Sequence, residues 1–281
     1  KGFKTLTAMG KDKEKYDYRL QVYVEDCQSC NACIQECPKQ ALGWEPIVKQ
    51  RHEVPNVNFF ESLPNDVLGT TFKESSIKGS QFKQPLLEFS GACAGCGETP
   101  YVKLITQLYG DRMIIGNATG CSSIWGGTFP SIPYCTNKHG SGPAWANSLF
   151  EDCAEYGFGF RLAVDTNRKQ LLFNTKEYLK NATKDDLKDA LSKAVEMFYS
   201  KDEDAKENAR KVRKLLPKNT ENEYLKRVIE LQNYFVDKSV WAFGGDGWAY
   251  DIGFGGLDHV MATNRNINIF VMDTEVYSNT G

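Results

Sequence analysis

Short apolar runs bounded by turn residues recur in the second half of the chain. Three of them, at 113–118, 240–243 and 268–272, have the length and composition of buried strands. Each leads into a loop of glycine or polar residues, and open α/β sheets bind ligands at that end of their strands. The pattern predicts an α/β fold, with a doubly wound and mainly parallel sheet.

Apolar residues spaced three and four apart predict the helices around this sheet. Thr99 and Pro100 begin one helix, 145–162 has helical character, and a crossover helix includes Ala249. Two further amphipathic patterns flank a charge-dense stretch, which is typical of a solvated helical face. We expect them to form a helical insertion at about 175–238 that carries no chemistry of its own.

The composition of this 281-residue chain argues against several classes of function. A formal net charge of −2 gives no basic field for nucleic acid, and no run of about eighteen apolar residues could span a bilayer. We therefore expect neither a nucleic-acid partner nor a membrane. Residues 1–15 show no secretory signal, and the nine cysteines are grouped as metal ligands are. The expected location is the cytoplasm, or an organelle matrix in a eukaryote.

Four cysteines stand together after a short predicted strand at 21–24. They are Cys27, Cys30, Cys33 and Cys37, with the spacing C-x₂-C-x₂-C-x₃-C-P. This run is typical of bacterial ferredoxins, where it holds [4Fe-4S] clusters, and its fourth cysteine normally ligates a second cluster. A zinc site is the alternative, although structural zinc favours two separated cysteine pairs. Because 1–26 contains no cysteine, we expect 1–45 to be a partial α+β ferredoxin-like domain of a larger protein.

The remainder of the chain divides into a connection and a second domain. Residues 46–85 have little periodicity and several turn-forming residues, so we predict a connecting segment that lies along the next domain. The second domain is expected at 86–281, opening with a strand near Leu86. Residue 281 falls inside a polar loop, so we expect this domain to be truncated at its C-terminus.

Three cysteines of the second domain follow predicted strand ends. Cys93 and Cys96 precede the helix that begins at Thr99, and Cys121 stands in the glycine turn after the strand at 113–118. A Cys-x-x-Cys pair before a helix is also typical of thioredoxin-like redox sites. The third cysteine favours a metal cluster instead, since adjacent strand ends can bring all three together.

The other cysteines and the histidines receive structural interpretations. Cys135 and Cys153 have no companions at ligand spacing and are expected to be small buried residues. His52 is expected at the surface, His139 lies in a glycine loop, and His259 is expected to pack on the crossover helix.

The strand at 240–243 ends in the sequence Gly244-Gly245-Asp246-Gly247. Glycines allow the backbone to approach a bulky anion, and Asp246 can ligate a hard cation such as Mg²⁺. An ordinary hairpin or βα turn is the alternative for such a short motif. The strand at 268–272 ends in a polar loop, Asp273 to Asn279, at the same predicted edge of the sheet.

These two segments, GGDGWAYDIGFGGLDHV and DTEVYSNTG, resemble the Mg²⁺–diphosphate motif of thiamine diphosphate enzymes, and most specifically pyruvate:ferredoxin oxidoreductases. Thr274 stands where most thiamine enzymes have Asn, and the pyruvate family is expected to have Thr there. The resemblance includes both cysteine sets and begins at Lys1, although it covers only a minor, C-terminal part of the family's polypeptide.

The resemblance implies roles for particular residues. Asp246, Thr274 and the carbonyl of Val276 would hold Mg²⁺, with Asn279 at the substrate end. Cys93, Cys96 and Cys121 would hold the cluster nearest thiamine diphosphate, with a fourth ligand from an absent extension. The neighbouring residues Gly120, Ser122, Gly245 and Gly247 would contact the cofactor. Glu98 is the local polar candidate beside it, and with Asn279 and Cys121 it completes the expected catalytic set.

The family also implies a reaction and its partners. The intact protein would be a homodimeric pyruvate synthase with three [4Fe-4S] clusters, oxidising pyruvate with coenzyme A and reducing ferredoxin or flavodoxin. The fragment alone is expected to be inactive. A related enzyme for another 2-oxo acid is one alternative, although fusion of both motifs on one chain favours pyruvate. An electron-transfer module without thiamine chemistry is another, and such a module has no need of Asp246 and Thr274.

Overall fold

A computed structural model describes residues 2–9, 16–63, 72–73, 76–127 and 132–279. The strands are β1 (Leu6–Thr7), β2 (Asp17–Tyr18), β3 (Met113–Asn117), β4 (Ala144–Asn147), β5 (Ser239–Gly245) and β6 (Asn268–Met272). The α-helices are α1 (Ala32–Gln35), α2 (Ile47–Gln50), α3 (Val54–Glu61), α4 (Ile77–Ser80), α5 (Thr99–Tyr109), α6 (Cys121–Gly127), α7 (Cys153–Asn181), α8 (Asp186–Glu196), α9 (Glu203–Leu215), α10 (Glu223–Glu230) and α11 (Phe254–Ala262). Gly247–Ile252 forms a π-helix.

The central sheet has the strand order β4-β3-β5-β6, and all its neighbouring strands are parallel. The predicted α/β class and the parallel sheet are therefore confirmed. The register aligns Asn117 with Phe243 and Gly245 with Met272. Because the strands run in one direction, β3, β5 and β6 all end at the same edge of the sheet.

Helices cover both faces of the sheet, as alternation along the strands requires. On one face, Ala242 packs in a buried cluster with residues of α7 and α11, including Ala154 and Leu257. On the other face, Phe243 packs with Val102 of α5 and with the strand β3. Successive residues of β5 thus enter opposite layers of the core.

Helix α7 lies close against the sheet because two glycines meet there. A Cβ atom on Gly116 would lie 3.2 Å from the ring of Tyr156, and one on Gly157 would lie 3.2 Å from Cβ of Ala242. Cys153 is fully buried at the start of the helix. Its thiol is 3.3 Å from the carbonyl oxygen of Gly116, and burial raises its pKa to about 12. Its predicted role as a small buried residue is confirmed.

The C-terminal part of α7, with α8, α9 and α10, encloses a hydrophobic cluster separate from the sheet. The expected helical insertion is therefore present. Arg168 of α7 is buried beneath it and donates hydrogen bonds to the carbonyl oxygens of Phe198 and Tyr234. It also lies 3.7 Å from Asp237. This one guanidinium thus joins the segment after α8 to the segment after α10.

Several local predictions are wrong. Residues 21–24 form no strand, and near Leu87 there is only an isolated bridge to Tyr134. The glycine turn containing Cys121 is the first turn of α6. Trp145 lies in β4, so the helix predicted from 145 begins only at Cys153. The patterns at 21–24, near Leu87 and around Cys121 were too short to distinguish strand, turn and helix, whereas Trp145 is held in the sheet by its pairing with β3.

The segment 46–85 contains the helices α2, α3 and α4 rather than an irregular connection, although 64–71 and 74–75 lie outside the described residues. The described part of 1–45 contains the antiparallel β1–β2 pair and the short α1. Its assignment to a ferredoxin-like domain stays a prediction, as do the domain boundaries. No helix within the described ranges is long and apolar enough to cross a bilayer.

The histidines are all exposed. His52 and His139 lie at the surface, as expected for His52. His259 is exposed on α11, so its predicted packing role is wrong. Its neighbour Val260 occupies the buried face of that helix instead.

Replacing Arg168 with Met should lower the free energy of unfolding by about 2–5 kcal/mol, because buried carbonyl oxygens and Asp237 would lose their cationic partner. Urea denaturation at neutral pH measures this. The matched control is Lys169→Met, since Lys169 is the next residue of α7 and is exposed. Equal stability of the two variants would contradict the role of Arg168.

Candidate functional site

A cavity of about 340 Å³ opens at the carboxyl edge of the sheet, where β3, β5 and β6 end. Its walls come from the segments that follow β3, β4, β5 and β6, including the start of α6, and from the residue before α5. They are Glu98, Thr119, Gly120, Cys121, Ser122, Phe150, Gly245, Asp246, Gly247, Val276, Tyr277, Ser278 and Asn279. The structure therefore brings most of the site residues predicted in the α/β domain to one cavity, as the strand-end argument required.

Asp246 joins the ends of two neighbouring strands. Its side chain is buried, and its carboxylate accepts the backbone N–H of Thr274 at 2.9 Å and 3.2 Å to its two oxygens. The Thr274 hydroxyl donates to the carbonyl oxygen of Val276 at 3.1 Å. A carboxylate, a hydroxyl and a carbonyl oxygen are thus linked in one group, and hard cations such as Mg²⁺ prefer this donor chemistry.

Gly247 allows aromatic rings to rest on the backbone beside Asp246. A Cβ atom at this position would lie 2.4 Å from the ring of Phe150 and 3.0 Å from that of Tyr277. Those two rings meet edge to face, with centroids 6.0 Å apart. Any side chain at Gly247 would displace both rings, so the glycine sets the shape of the cavity wall.

Two tyrosine–carboxylate pairs fasten the loop after β6 to the π-helix. Tyr250 of the π-helix donates to Asp273 of the loop at 2.9 Å, and Tyr277 of the loop donates to Asp251 of the π-helix. Glu275, between them, has a left-handed backbone with φ of 63°. Single-turn π-helices occur often at functional sites. Here the π-helix holds the loop that carries Asp273 and Tyr277 beside the cavity.

Glu98 is a buried carboxyl group in the cavity wall. Its side chain is 6% exposed and accepts the indole N–H of Trp125 at 2.8 Å. Burial raises the pKa of Glu98 and the charge of Asp246 adds to the rise, whereas the bond from Trp125 lowers it. The balance favours a protonated carboxyl at a higher pH than for an exposed glutamate.

Cys121 begins α6 at the wall of the same cavity. The Ser278 hydroxyl lies 3.4 Å from its sulfur, so the loop after β6 reaches the cysteine. Gly120 precedes it, and the Ser123 hydroxyl accepts the Gly120 N–H at 2.9 Å. Ser122 is buried and accepts a hydrogen bond from Asn117. Cys121 is therefore adjacent to the loop that carries Asn279, and its role as a cluster ligand stays a prediction.

The turn of Cys93 and Cys96 lies against the first cysteine run. A Cβ atom on Gly95, which has φ of 74°, would lie 3.4 Å from Cβ of Cys30. The ring of Tyr23 contacts Phe89 nearby, with centroids 5.5 Å apart. The two cysteine sets are neighbours, which their separation in sequence did not indicate.

All nine cysteines are free thiols, and those of the two sets are exposed or half-buried. In the first run, the backbone N–H of Ala41 lies 3.2 Å from the sulfur of Cys37 and lowers its pKa, as do further backbone hydrogen bonds. Among the described residues, no three Cys, His, Asp or Glu side chains are gathered closely enough to hold a metal ion. The thiol chemistry suits iron–sulfur ligation, but these atoms do not form a closed ligand set.

Several residues of the cavity were not singled out from the sequence. Phe150 and Tyr277 shape its apolar wall, Trp125 holds Glu98, and Thr119 lies beside Gly120. Only Tyr277 had a sequence signal, because it stands inside the loop that follows β6. Thr119 and Trp125 flank the predicted site residues Gly120, Cys121 and Ser122, but their own residue types gave no sign of a role, and Phe150 stands in a segment without predicted chemistry.

The chain is similar along its whole length to curated enzymes. It is 47% identical over 291 residues to a pyruvate:ferredoxin oxidoreductase of Moorella thermoacetica, with 99% of the chain and 24% of that protein covered. Pyruvate-flavodoxin oxidoreductases of Klebsiella pneumoniae and Enterobacter agglomerans are 47% and 49% identical, again over 24% of their length. No family model matches the chain.

The chain thus spans about a quarter of the length of these relatives. The aligned region covers 98–100% of the chain, so the strand-end loops and both cysteine sets lie within it almost entirely. This protein segment belongs to the pyruvate:ferredoxin and pyruvate-flavodoxin oxidoreductase family.

Proposed function

We propose that the chain supplies the diphosphate-anchoring half of a thiamine site and part of an iron–sulfur relay. The enzyme would oxidatively decarboxylate pyruvate with coenzyme A and pass single electrons to ferredoxin or flavodoxin. The observation that carries the proposal is the linked oxygen group of Asp246, Thr274 and Val276, of which Asp246 and Val276 line the cavity. A relay without thiamine chemistry has no use for this group.

In the proposed site, the oxygens of Asp246, Thr274 and Val276 would hold Mg²⁺, whose positive charge would help to anchor the diphosphate. Gly245 and Gly247 admit the diphosphate to the backbone, since neither presents a side chain. Thiamine diphosphate, when bound, supplies the nucleophilic carbon that takes up the 2-oxo acid and releases CO₂. Gly120 and Ser122 line the opposite wall, and Asn279 lies at the substrate end.

Glu98 holds a proton beside the cofactor. Its raised pKa keeps its carboxyl protonated over part of the range in which an exposed glutamate is charged, and Trp125 fixes its orientation. The rings of Phe150 and Tyr277 contribute apolar surface to the same cavity. These residues set the polarity of the pocket rather than the electron path.

The electron path is assigned to the cysteines. Cys93, Cys96 and Cys121 hold the first [4Fe-4S] cluster, and Cys121 belongs to both the cavity wall and this set. Cys27, Cys30, Cys33 and Cys37 supply ligands to two further clusters. The approach of Gly95 to Cys30 places the turn of Cys93 and Cys96 beside the first cysteine run, so clusters held by these residues would be neighbours in a relay.

Replacing Asp246 with Asn should weaken Mg²⁺-dependent binding of thiamine diphosphate at least about 100-fold, because an amide keeps the shape but loses the charge that holds the metal. Calorimetric titration of the full-length protein measures the affinity. Asp258→Asn, an exposed change on α11, is the matched control. Affinity equal to that of the control would contradict the assignment and favour a relay without thiamine.

Replacing Glu98 with Gln should change how stability depends on pH. A carboxyl whose pKa is raised by folding destabilises the fold as pH rises from its ordinary value, 4.5, through the higher folded value. Glutamine stays neutral, so the free energy of unfolding of Glu98→Gln relative to the parent should be higher at pH 8 than at pH 4. Urea denaturation at both values measures this, with the exposed Glu221→Gln as control. A pH-independent difference would refute the raised pKa.

Replacing Cys121 with Ala should remove about four irons per chain, because a [4Fe-4S] cluster loses a ligand. Iron analysis and paramagnetic resonance of the reduced full-length protein measure the loss. Cys135→Ala is the matched control, since Cys135 is a half-buried cysteine outside both sets. Parental iron content in Cys121→Ala would show that this thiol is only a packing residue.

A further inference from the structure

A second cleft lies at the amino edge of the sheet, opposite the cavity at the carboxyl edge. Arg112 precedes β3 and Lys238 precedes β5, so both stand where these strands begin. Five to seven residues of strand separate them from the carboxyl edge, a distance of about 17–23 Å at the usual rise. The cleft is therefore a separate feature of the molecule, and the inference below is independent of the proposed function.

The helical insertion closes the other side of this cleft with three cations from one helix. Lys206, Arg210 and Arg213 are spaced four and three residues apart on α9, which places them on one helical face. Asp111 is the only carboxylate among the described lining residues, against five cationic side chains. The remaining polar lining is neutral, from Asn137, Ser141, Gln232 and Asn233.

The acidic partners of the cleft satisfy only two of its cations. Lys206 is 2.5 Å from Asp111, and Arg210 is 2.8 Å from Glu203. Arg213 donates to the amide oxygen of Asn233 at 3.2 Å.

The remaining cations contact only neutral groups. Arg112 and Lys238 lie over the rings of Tyr109 and Tyr234, at 5.8 Å and 5.9 Å. Within the part of the chain that the structure describes, Arg112, Arg213 and Lys238 form no salt bridge.

Burial makes this excess of positive charge costly. The pKa of Lys238 is lowered by desolvation and then by the charge of Arg213, although Asp111 and Asp237 act in the opposite direction. The pKa of Arg213 is lowered by desolvation and by Arg210. A bound anion would offset both effects, because it brings negative charge into a partly dehydrated space. The free volume of about 60 Å³ suits one tetrahedral oxyanion rather than a whole nucleotide.

We propose that this cleft, the amino-edge cleft, binds a phosphate group between Arg112, Arg213 and Lys238. Arginine forks and the lysine ammonium supply charge-assisted hydrogen bonds to three phosphate oxygens, and the amides of Asn233 and Gln232 lie beside them. The phosphate is either free or the terminal group of a phosphoester that extends through the open side of the cleft. Binding there connects the helical insertion to the starts of β3 and β5.

The test uses the full-length protein and two probes, inorganic phosphate and ADP, titrated calorimetrically at constant ionic strength set with chloride. Phosphate should bind the parent protein, and Lys238→Met and Arg213→Gln should each weaken it about tenfold or more. Lys211→Met is the matched control, because Lys211 is an exposed lysine on the same helix, outside the cleft lining. Tighter binding of ADP, lost in the same two variants, would identify a phosphoester as the occupant.

Two outcomes would overturn the proposal. The site is excluded if titration with phosphate gives no binding to the parent protein above that seen with chloride alone. It is also excluded if both cleft variants bind phosphate as the parent does. Because Lys238 is partly buried and its variant can misfold, circular dichroism accompanies each titration. If Lys238→Met is unfolded, Arg112→Gln is tested in its place, because Arg112 lines the same cleft.

Discussion

The hydrogen bonds from the Thr274 backbone to the Asp246 carboxylate join the ends of β5 and β6, and the whole candidate site depends on that junction. The parallel register sets it up, because Gly245 and Met272 are aligned and both strands end level. A one-residue shift would turn Asp246 away from Thr274 and would reverse every side chain of the strand. The buried layers on both sides of β5 prevent such a shift.

The parts of the site that follow a local sequence pattern could be predicted, whereas the parts that depend on packing between distant segments could not. The loops of Asp246 and Thr274 were predictable because short apolar runs precede them and parallel strands end together. The contact of Gly95 with Cys30 was not, since it depends on how two separate segments pack. Phe150 and Trp125 were missed for the same reason, because their role comes from position rather than residue type.

The errors in secondary structure have a related cause. The stretch 145–162 has helical periodicity, yet Trp145 pairs within β4 because the edge of the sheet offers it hydrogen bonds and a place to pack. Around Cys121, a glycine-containing sequence forms a helix instead of a turn, with Trp125 buried on its inner side. Tertiary packing decides such segments, whereas the longer helices of the insertion were predictable from their own amphipathic pattern.

The two tyrosine–carboxylate pairs give the loop after β6 a particular mechanical behaviour. Each side of the junction contributes one donor and one acceptor, since Tyr250 reaches Asp273 and Tyr277 reaches Asp251. Thr274 and Ser278 add attachments to Asp246 and Cys121. The loop is therefore fastened to the end of β5, to the π-helix and to the start of α6, so that the loss of one bond leaves the others to hold this wall of the cavity.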